Sequence, residues 1–530
     1  MNHLTVNILD LCDEMLLSIF NKLNNIDVLY SLIDVDKKLD RLARDITFTQ
    51  SIDLVTISSN EHNFLRNNSI LDRFCVDILP RIQHTIECLA LDSLSIDRVL
   101  HIGNYSKLHK LTLVNLPFQM ASRIFNEKSS FIDIFKHQIS HLIVMIIEDN
   151  IAEHTRKAST DVFTTIFIMF TNLNYLHYGW NGECLGSPRS LVDTLSPTCP
   201  SNIVHLNVRV NSFNDCLCLL DGCLSQLHTF IVEVDNINYT SMTINNTKTV
   251  SNLKCFSLFS FRRTIEYDSH IVPFIRRMSQ LEKLTLSLIV YGRTSFIDGT
   301  HLVNDILSKM SHLHTFIFNI ITQNVIMAEE FLPAPDDVQR ELIQRGYNVN
   351  CYTDYNVLNN GQCHIYSLPF IMERMHIHSS KFLGGLFLTV RHLHMRNFVH
   401  PFEHDFFARI SQAFPLLNKL TIYNISGQKK KLTNLKDEHK QTWSIIEFSH
   451  LMTLHLSMSD MDYVEEFLFD FNTRLPCLNT LYIKYKHLVM ITENFTKNAA
   501  RINCSKLEHI IFDSKPTTYP ENFYLYFPLL

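Results

Sequence analysis

The chain has 530 residues, 46% hydrophobic and 19% charged, with a formal net charge of -6. That is ample apolar material for a core and excludes global disorder, while the small negative charge excludes broad electrostatic capture of nucleic acid or of an anionic membrane. No apolar run reaches the roughly 18 residues of a membrane helix, and the N-terminus lacks the basic start and unbroken apolar run of a secretory signal, so an intracellular, reducing setting is expected.

The thirteen cysteines are odd in number and contain no CxxC pair. They read as small core side chains rather than a disulfide framework or a zinc site.

In chain order, the first element is the stretch LDLCDEMLLSIFNKLNNIDVLYSL at residues 9–32. Asp13 and Glu14 make an acidic helix start, and Leu16, Leu17, Phe20 and Leu23 lie on adjoining faces. Asn24 and Asn25 break that helix, with Asn25 placed to cap a second carrying Val28, Leu29 and Leu32; a third carries Leu39 and Leu42. Three helices this short make a very small core, so the unit is expected to dock on the rest of the chain, on a partner, or on both.

From residue 86 a phrase of the form apolar-x-x-apolar-x-apolar returns: IECLAL from Ile86, LHKLTL from Leu108, ISHLIV from Ile139, LNYLHY from Leu173, IVHLNV from Ile203, LHTFIV from Leu227, LKCFSL from Leu253, LEKLTL from Leu281 and LHTFIF from Leu313. It resumes with VRHLHM from Val390, LNKLTI from Leu417, LMTLHL from Leu451, LNTLYI from Leu478 and LEHIIF from Leu507, and within each run the starts are 22 to 34 residues apart. That period holds one strand and one returning helix, the spacing of a leucine-rich repeat. The last three residues alternate like a strand, so two apolar side chains share one face and the residue between them takes the other. Stacked units predict an α/β solenoid, with parallel strands on the concave side and helices such as 305–310 and 406–414 on the convex side. Such repeats usually carry Asn or Cys about three residues past the phrase; only Asn181 and Asn211 stand there, with Asp235 similar.

Between residues 318 and 372 the period fails. Pro333, Pro335 and Asp336 start a helix, VQRELIQRG continues it to Gly346, and Asn360-Gly361 is a favoured tight-turn pair between two alternating runs. The expectation is a helix plus β-hairpin, serving as a spacer between two halves of the array, with MERMHI at 372–377 restarting it.

The N-terminal residues resemble an F-box, whose pattern is matched by Leu11, Asp13, Glu14, Leu16, Leu17, Ile19, Phe20, Leu23, Asp27, Leu29, Val35 and Lys37. The match covers about the first 45 residues. Cys12 stands where the family prefers Pro, and Leu39 where it often has Trp. An F-box followed by leucine-rich repeats is a recurrent arrangement. The resemblance implies a non-catalytic substrate receptor of a cullin-RING (SCF) ubiquitin ligase: a monomer within that complex, holding the Skp adaptor and through it the cullin and RING subunits. It further implies Leu11, Cys12, Met15, Leu16, Ile19 and Val35 on the adaptor side, and a cytoplasmic location with the nucleus as the alternative. The domains on this reading are 1–48 (F-box-like), 49–320 (first repeats), 321–372 (insert) and 373–530 (second repeats and cap).

An unidentified protein target would meet the concave positions between the apolar ones, among them Tyr175, His177, Arg209, His392, His394, Arg396, Lys419, Tyr423, His455, Tyr482 and Lys484. These turn mildly basic toward the C-terminus, which suits an acidic or phosphorylated target. The other reading is a leucine-rich interaction scaffold with no ligase role.

Of the 27 histidines, HPFEH at 400–404 comes nearest a metal motif, but Glu does not directly follow the first His and Pro401 interrupts the ligand turn. There is no GxxxxGK, GxGxxG or GxSxG, and Gly is scarce at 12 residues, so neither a phosphate-cradling loop nor a cofactor is implied. Lysines 429–431 read as a solvated loop.

Overall fold

A computed structural model describes residues 8–55, 64–101, 103–147, 153–181, 190–191, 201–220, 224–238, 252–327, 332–356, 360–397, 400–429, 444–514, 516 and 518–530. The chain divides into two compact units: Met1–Val290 with Asn304–Phe316, and Tyr291–Val303 with Ile317–Leu530. Both are α/β, and no helix among the described residues is long and apolar enough to cross a membrane.

The first unit begins with helices α1 (Asp13–Phe20), α2 (Asn25–Leu32) and α3 (Lys37–Ala43). The cap of α2 is Asn24, whose side chain accepts the Ile26 N–H at 3.1 Å; Asn25 instead donates to the Ser51 carbonyl at 3.0 Å. Asp36 caps α3 through the Lys38 N–H at 2.7 Å. Leu16, Phe20, Val28, Leu29, Leu39 and Leu42 are buried, and Phe20 meets Phe48 edge-on at 6.3 Å. Residues 73 and 81 tie these helices to the rest of the unit: Arg73 donates to the Ile33 carbonyl at 3.0 Å and lies 4.8 Å over the Tyr30 ring, and Arg81 holds Asp34 at 2.6 Å. The small helical unit is thus docked within its own chain, as its size requires.

Strands β1 (Ser51–Asp53), β2 (Cys88–Asp92), β3 (Lys110–Pro117), β4 (His141–Ile147), β5 (Tyr175–Asn181), β6 (His205–Ser212), β7 (Thr229–Asn236), β8 (Cys255–Thr264) and β9 (Lys283–Tyr291) form one sheet, each parallel to the next in chain order. The register aligns Leu111, Leu142, Leu176, Leu206, Phe230, Phe256 and Leu284 in one row, and Leu113, Val144, Tyr178, Val208, Val232, Leu258 and Leu286 in the next. Every member of both rows is buried, each adding about 1.5–3 kcal/mol for a fully buried large apolar side chain. Helices cover this side: Phe274, in the helix Val272–Arg276, packs against Phe213 at 4.8 Å and Phe256 at 5.7 Å.

One backbone device repeats at each strand entry: a carbonyl of one unit accepts two successive N–H groups of the next. The His109 carbonyl takes Ser140 and His141, that of Ser140 takes Asn174 and Tyr175, that of Asn174 takes Val204 and His205, and so on to Lys254 with Glu282 and Lys283. Side-chain amides reinforce it. Gln138 donates to the Leu108 carbonyl at 2.7 Å, Asn202 to that of Thr171 at 3.0 Å, Asn252 to that of Ser225 at 2.8 Å, and Asn172 to that of His137.

In the second unit, β10 (Thr315–Ile326, of which this unit takes Ile317 onward), β11 (Val349–Tyr355) and β12 (Asn360–Ser367) pair antiparallel in the order β10-β12-β11. The expected helix is present at Pro335–Gln344. Its hairpin does not stand alone, because β12 pairs along the end of β10. Asn360 and Gly361 belong to β12, not to the centre of a turn. Gly361 serves packing: a Cβ there would meet the Phe296 and Tyr355 rings at 2.8 Å.

A six-stranded parallel sheet then restarts the pattern with β13 (Arg374–Ile377), β14 (His392–Arg396) and β15 (Lys419–Tyr423). After the short β16 (Ile446–Glu447), it continues with β17 (Thr453–His455), while β18 (Thr473–Arg474) pairs with β16. Strands β19 (Thr480–Ile483) and β20 (His509–Phe512) complete it. Leu393, Leu420, Leu454 and Leu481 form its buried row, covered by the helices His404–Ala413 and Met461–Leu468 through Phe407 and Phe467 at 4.9 Å.

Candidate protein-docking surfaces

The first candidate surface lies on the N-terminal helices. Helix α1 carries apolar residues on both sides, and docking decides which side turns in. Leu16 and Phe20 pack inward; Met15 (53% exposed), Ile19 (44%) and Leu23 (53%) face out, as do Val35 (63%) and Cys12. Leu11 is partly covered. Leu16 therefore leaves the set expected on the adaptor side: it is 0% exposed, and contacting a partner would require opening the core. Leu23, matched to the F-box pattern but not counted among the adaptor-side residues from sequence, joins the exposed group. Lys38 braces the entry to α1 by donating to the carbonyls of Leu9 at 3.0 Å and Leu11 at 2.6 Å. Arg41 donates to Asp13 at 2.5 Å, and that hydrogen bond, against a smaller effect of burial, holds the Asp13 carboxyl below its usual range.

The second candidate is the strand face opposite the buried rows. In the first unit the register lines up Lys110, His141, Tyr175, His205 and Thr229. Their rings form a ladder: His141 stacks on Tyr175 at 5.7 Å, and Tyr175 meets His205 at 6.0 Å. Burial, followed by neighbouring positive groups, pushes His141 and His205 below the ordinary histidine value; burial alone does so for His177. These imidazoles are neutral near pH 7. Arg209 is closed off by Asp235, which accepts from Nε at 2.7 Å and from Nη2 at 3.0 Å, with Glu233 3.7 Å away. Asp235, expected at a turn, is in fact the partner of this arginine.

In the second unit the same face carries His376 and His394 stacked at 4.8 Å, His455 and Tyr482 stacked at 4.8 Å, and the Arg396 guanidinium 4.9 Å over the Tyr423 ring. His392 and Lys419 sit beside each other in register, and Lys484 directly succeeds β19. His376 is driven well below the ordinary value by burial first, then by His394, His378, Arg374 and His364.

One histidine of the motif that came nearest a metal site has another role. His404, at the end of the 400–404 motif, has both ring nitrogens engaged, Nδ1 pairing with Glu466 Oε1 at 2.7 Å and Nε2 meeting the Ser444 carbonyl at 3.2 Å. Of the 429–431 lysine run, residues 430 and 431 lie outside the described residues.

Compared with known protein families and with curated proteins, the sequence matches none.

Proposed function

We propose that the chain is the substrate-recognition subunit of a cullin-RING ubiquitin ligase, its N-terminal helices acting as an F-box for the Skp adaptor and its leucine-rich-type strand arrays holding a protein target. The observation that carries this reading is the outward apolar group Cys12, Met15, Ile19, Leu23 and Val35 on a helical unit whose own core is already filled by Leu16, Phe20, Leu29 and Leu39. Large apolar side chains turned outward on a small docked unit are a protein-interaction feature, and the F-box resemblance says of which kind. No side-chain chemistry is needed. Holding adaptor and target in one chain raises the effective concentration of target lysines at the conjugating enzyme. On this reading the protein takes no cofactor or metal and binds neither nucleic acid nor membrane. The cytoplasm is its site of action, with the nucleus as the alternative.

The second reading, an interaction scaffold outside any ligase, is favoured by Cys12, which leaves the start of α1 without the family's rigid Pro and without a side-chain cap. Binding of the purified full chain to the Skp adaptor separates the two. Tight binding that is lost in Met15→Asp/Ile19→Asp, with an unchanged melting curve, is the expected result. A parent chain that does not bind the adaptor favours the scaffold.

A further inference from the structure

Strand β20 has a neighbour on one side only among the described residues. It runs parallel to β19, with Thr480 beside His509, Leu481 beside Ile510, Tyr482 beside Ile511 and Ile483 beside Phe512. The Asn479 carbonyl takes the N–H groups of Glu508 and His509, as the carbonyls of Glu373, Arg391, Asn418 and Met452 do for the strands before it. The next carbonyl in that series belongs to Glu508, and among the described residues no backbone N–H reaches it. Along a strand the backbone groups of successive residues point to alternate sides. With His509 turned to β19, the N–H and C=O groups of Ile510 and Phe512 face outward, and they too have no backbone partner among the described residues.

An open edge of this kind is a template for another strand, and sequences usually blunt it with Lys, Pro or an inward charge. HIIF at 509–512 carries none of these, and Ile511 is 37% exposed. Tyr519 and the helix Glu521–Tyr526 pack on the buried side, with Tyr519 6.2 Å from Phe512 and 4.2 Å from Phe523, and leave Tyr524 and Leu525 exposed.

The edge is complementary to itself. Two antiparallel copies related by a two-fold axis through Ile511 bring Ile510 of each opposite Phe512 of the other. Both residues face outward, so each such pair exchanges both of its N–H···O bonds. On the face shared with Tyr482, Ile511 meets Ile511, and His509 meets Asp513 on either side of it. Both of these are exposed, and an imidazole N–H donates to a carboxylate in either protonation state. Asp513 Oδ1 accepts the Ser514 N–H at 2.9 Å, and extending the β19–β20 register by one residue sets Lys484 of the same chain beside it. The neighbouring alignments that keep outward groups facing match worse. An axis at Ile510 sets Glu508 against Phe512 and Asp513 against Leu507, and one at Phe512 sets Asp513 against Ile511.

We propose that β20 is an interface between two copies of this chain, joined antiparallel edge to edge about a two-fold axis at Ile511. A second copy is preferred to a segment of another protein because one edge supplies both members of the charge pair and both halves of the apolar centre. Two-fold pairing also closes on itself and leaves neither edge open. A strand of 4 residues is a small contact, so dissociation in the micromolar range is expected. The inference stands apart from the ligase reading, and differs from the single chain per complex that the F-box resemblance implies.

The test is sedimentation equilibrium of the full chain between about 1 and 100 μM, the range over which a micromolar dimer forms. The parent is expected to pass from one chain to two over that range. Ile511→Asp sets carboxylates against each other at the axis and should weaken association at least about ten-fold, with an unchanged melting curve because the side chain is exposed. His509→Asp and Asp513→Lys should each weaken self-association, while an equimolar mixture of the two variants restores it, since one cross-pair then joins Asp to Lys and the other stays His with Asp. Ile511→Cys should cross-link to a second copy under diamide, because residues opposite each other in a non-hydrogen-bonded pair lie about 4.5 Å apart, within the roughly 4.4–6.8 Å that a disulfide spans. His509→Cys, about 13 Å from its counterpart, should cross-link no more than the parent, whose exposed Cys12 and Cys477 set the background. A parent that stays a single chain at every concentration, a dimer indifferent to Ile511→Asp, or a mixture that associates no better than its components would each overturn the proposal. So would a single-chain parent that binds a labelled alternating Thr-Val peptide and loses it in Ile511→Asp, a result that gives the edge to a partner's strand.

Discussion

Replacing His404 by Leu removes one half of a buried ion pair. The two side chains are 7% and 1% exposed, and Glu466 Oε1 lies 2.7 Å from the imidazole Nδ1. Deleting the histidine strands a carboxylate in the core, which costs about 3–5 kcal/mol, and for a unit of this size each kcal/mol lowers Tm by about 2–4 °C, so a drop on the order of 10 °C is expected. Replacing both residues, as in His404→Leu/Glu466→Leu, removes the stranded charge along with its partner, so the double variant should melt above the single one. pH gives an independent check. Burial alone would drive the proton off His404, but the hydrogen bond and charge of Glu466, with the Ser444 carbonyl, outweigh it and raise the pKa above its ordinary value. The pair's contribution is therefore complete below the unfolded histidine value of about 6.5 and fades as pH rises through the higher folded value. Thermal melts of parent and double variant tracked by circular dichroism between about pH 5.5 and 9 should show the parent's advantage largest at the acid end, because the double variant carries neither titrating group. A gap that is constant or grows with pH, or a single variant costing under about 1 kcal/mol, would refute the buried-pair account.

Burial and pairing set two further outcomes. Leu16→Ala should cost about 2–5 kcal/mol in urea unfolding, because the leucine is fully buried, whereas Met15→Ala, one position earlier and half-exposed, should stay within about 0.5 kcal/mol; similar values for the two would mean that α1 is rotated from the orientation described. Arg209→Ala leaves Asp235 nearly buried without its bidentate partner and should cost about 3 kcal/mol, most of it recovered by adding Asp235→Ala, a recovery that a double-mutant cycle measures.

The strand arrays were legible because the repeated phrase states both a period and a face. Leu108, Ile139, Leu173, Ile203, Leu227, Leu253 and Leu281, its first positions, are all buried, and the next two apolar positions form the aligned rows. A further signal was present in the sequence on the other side of the phrase. The residue just before it is an amide at Gln138, Asn172, Asn202 and Asn252, and it makes the inter-repeat hydrogen bond for which Asn was sought after the strand. The side of α1 that turns inward was not legible, since Met15, Leu16, Ile19 and Phe20 put apolar groups on several of its faces and only docking chooses between them. Gly361 misled for a related reason: Asn-Gly states a local turn preference, whereas the need for Gly arises from the rings of Phe296 and Tyr355, the first of them distant in sequence. Pairs such as His404 with Glu466, 62 residues apart, have no local signature at all.

The abundance of histidine has its own physical account in these arrays. A general base needs a nitrogen directed at substrate and a pKa near the working pH. His364 has neither: Nδ1 meets the Tyr352 hydroxyl at 2.8 Å, Nε2 meets Asn319 Oδ1 at 2.6 Å, and burial holds its pKa at about 3. Fixed neutral, it can only link β10, β11 and β12 as a donor and acceptor. His141 and His205 contribute a flat ring to the ladder around Tyr175, a use for which imidazole suits a strand position in a parallel sheet, where each ring lies against the next. His404 alone among these holds its proton more strongly than usual, and the partner it is held by lies within the fold. The same residue type thus serves as linker, platform and buried partner of an acid, according to whether a hydroxyl and an amide, another ring, or a carboxylate stands opposite.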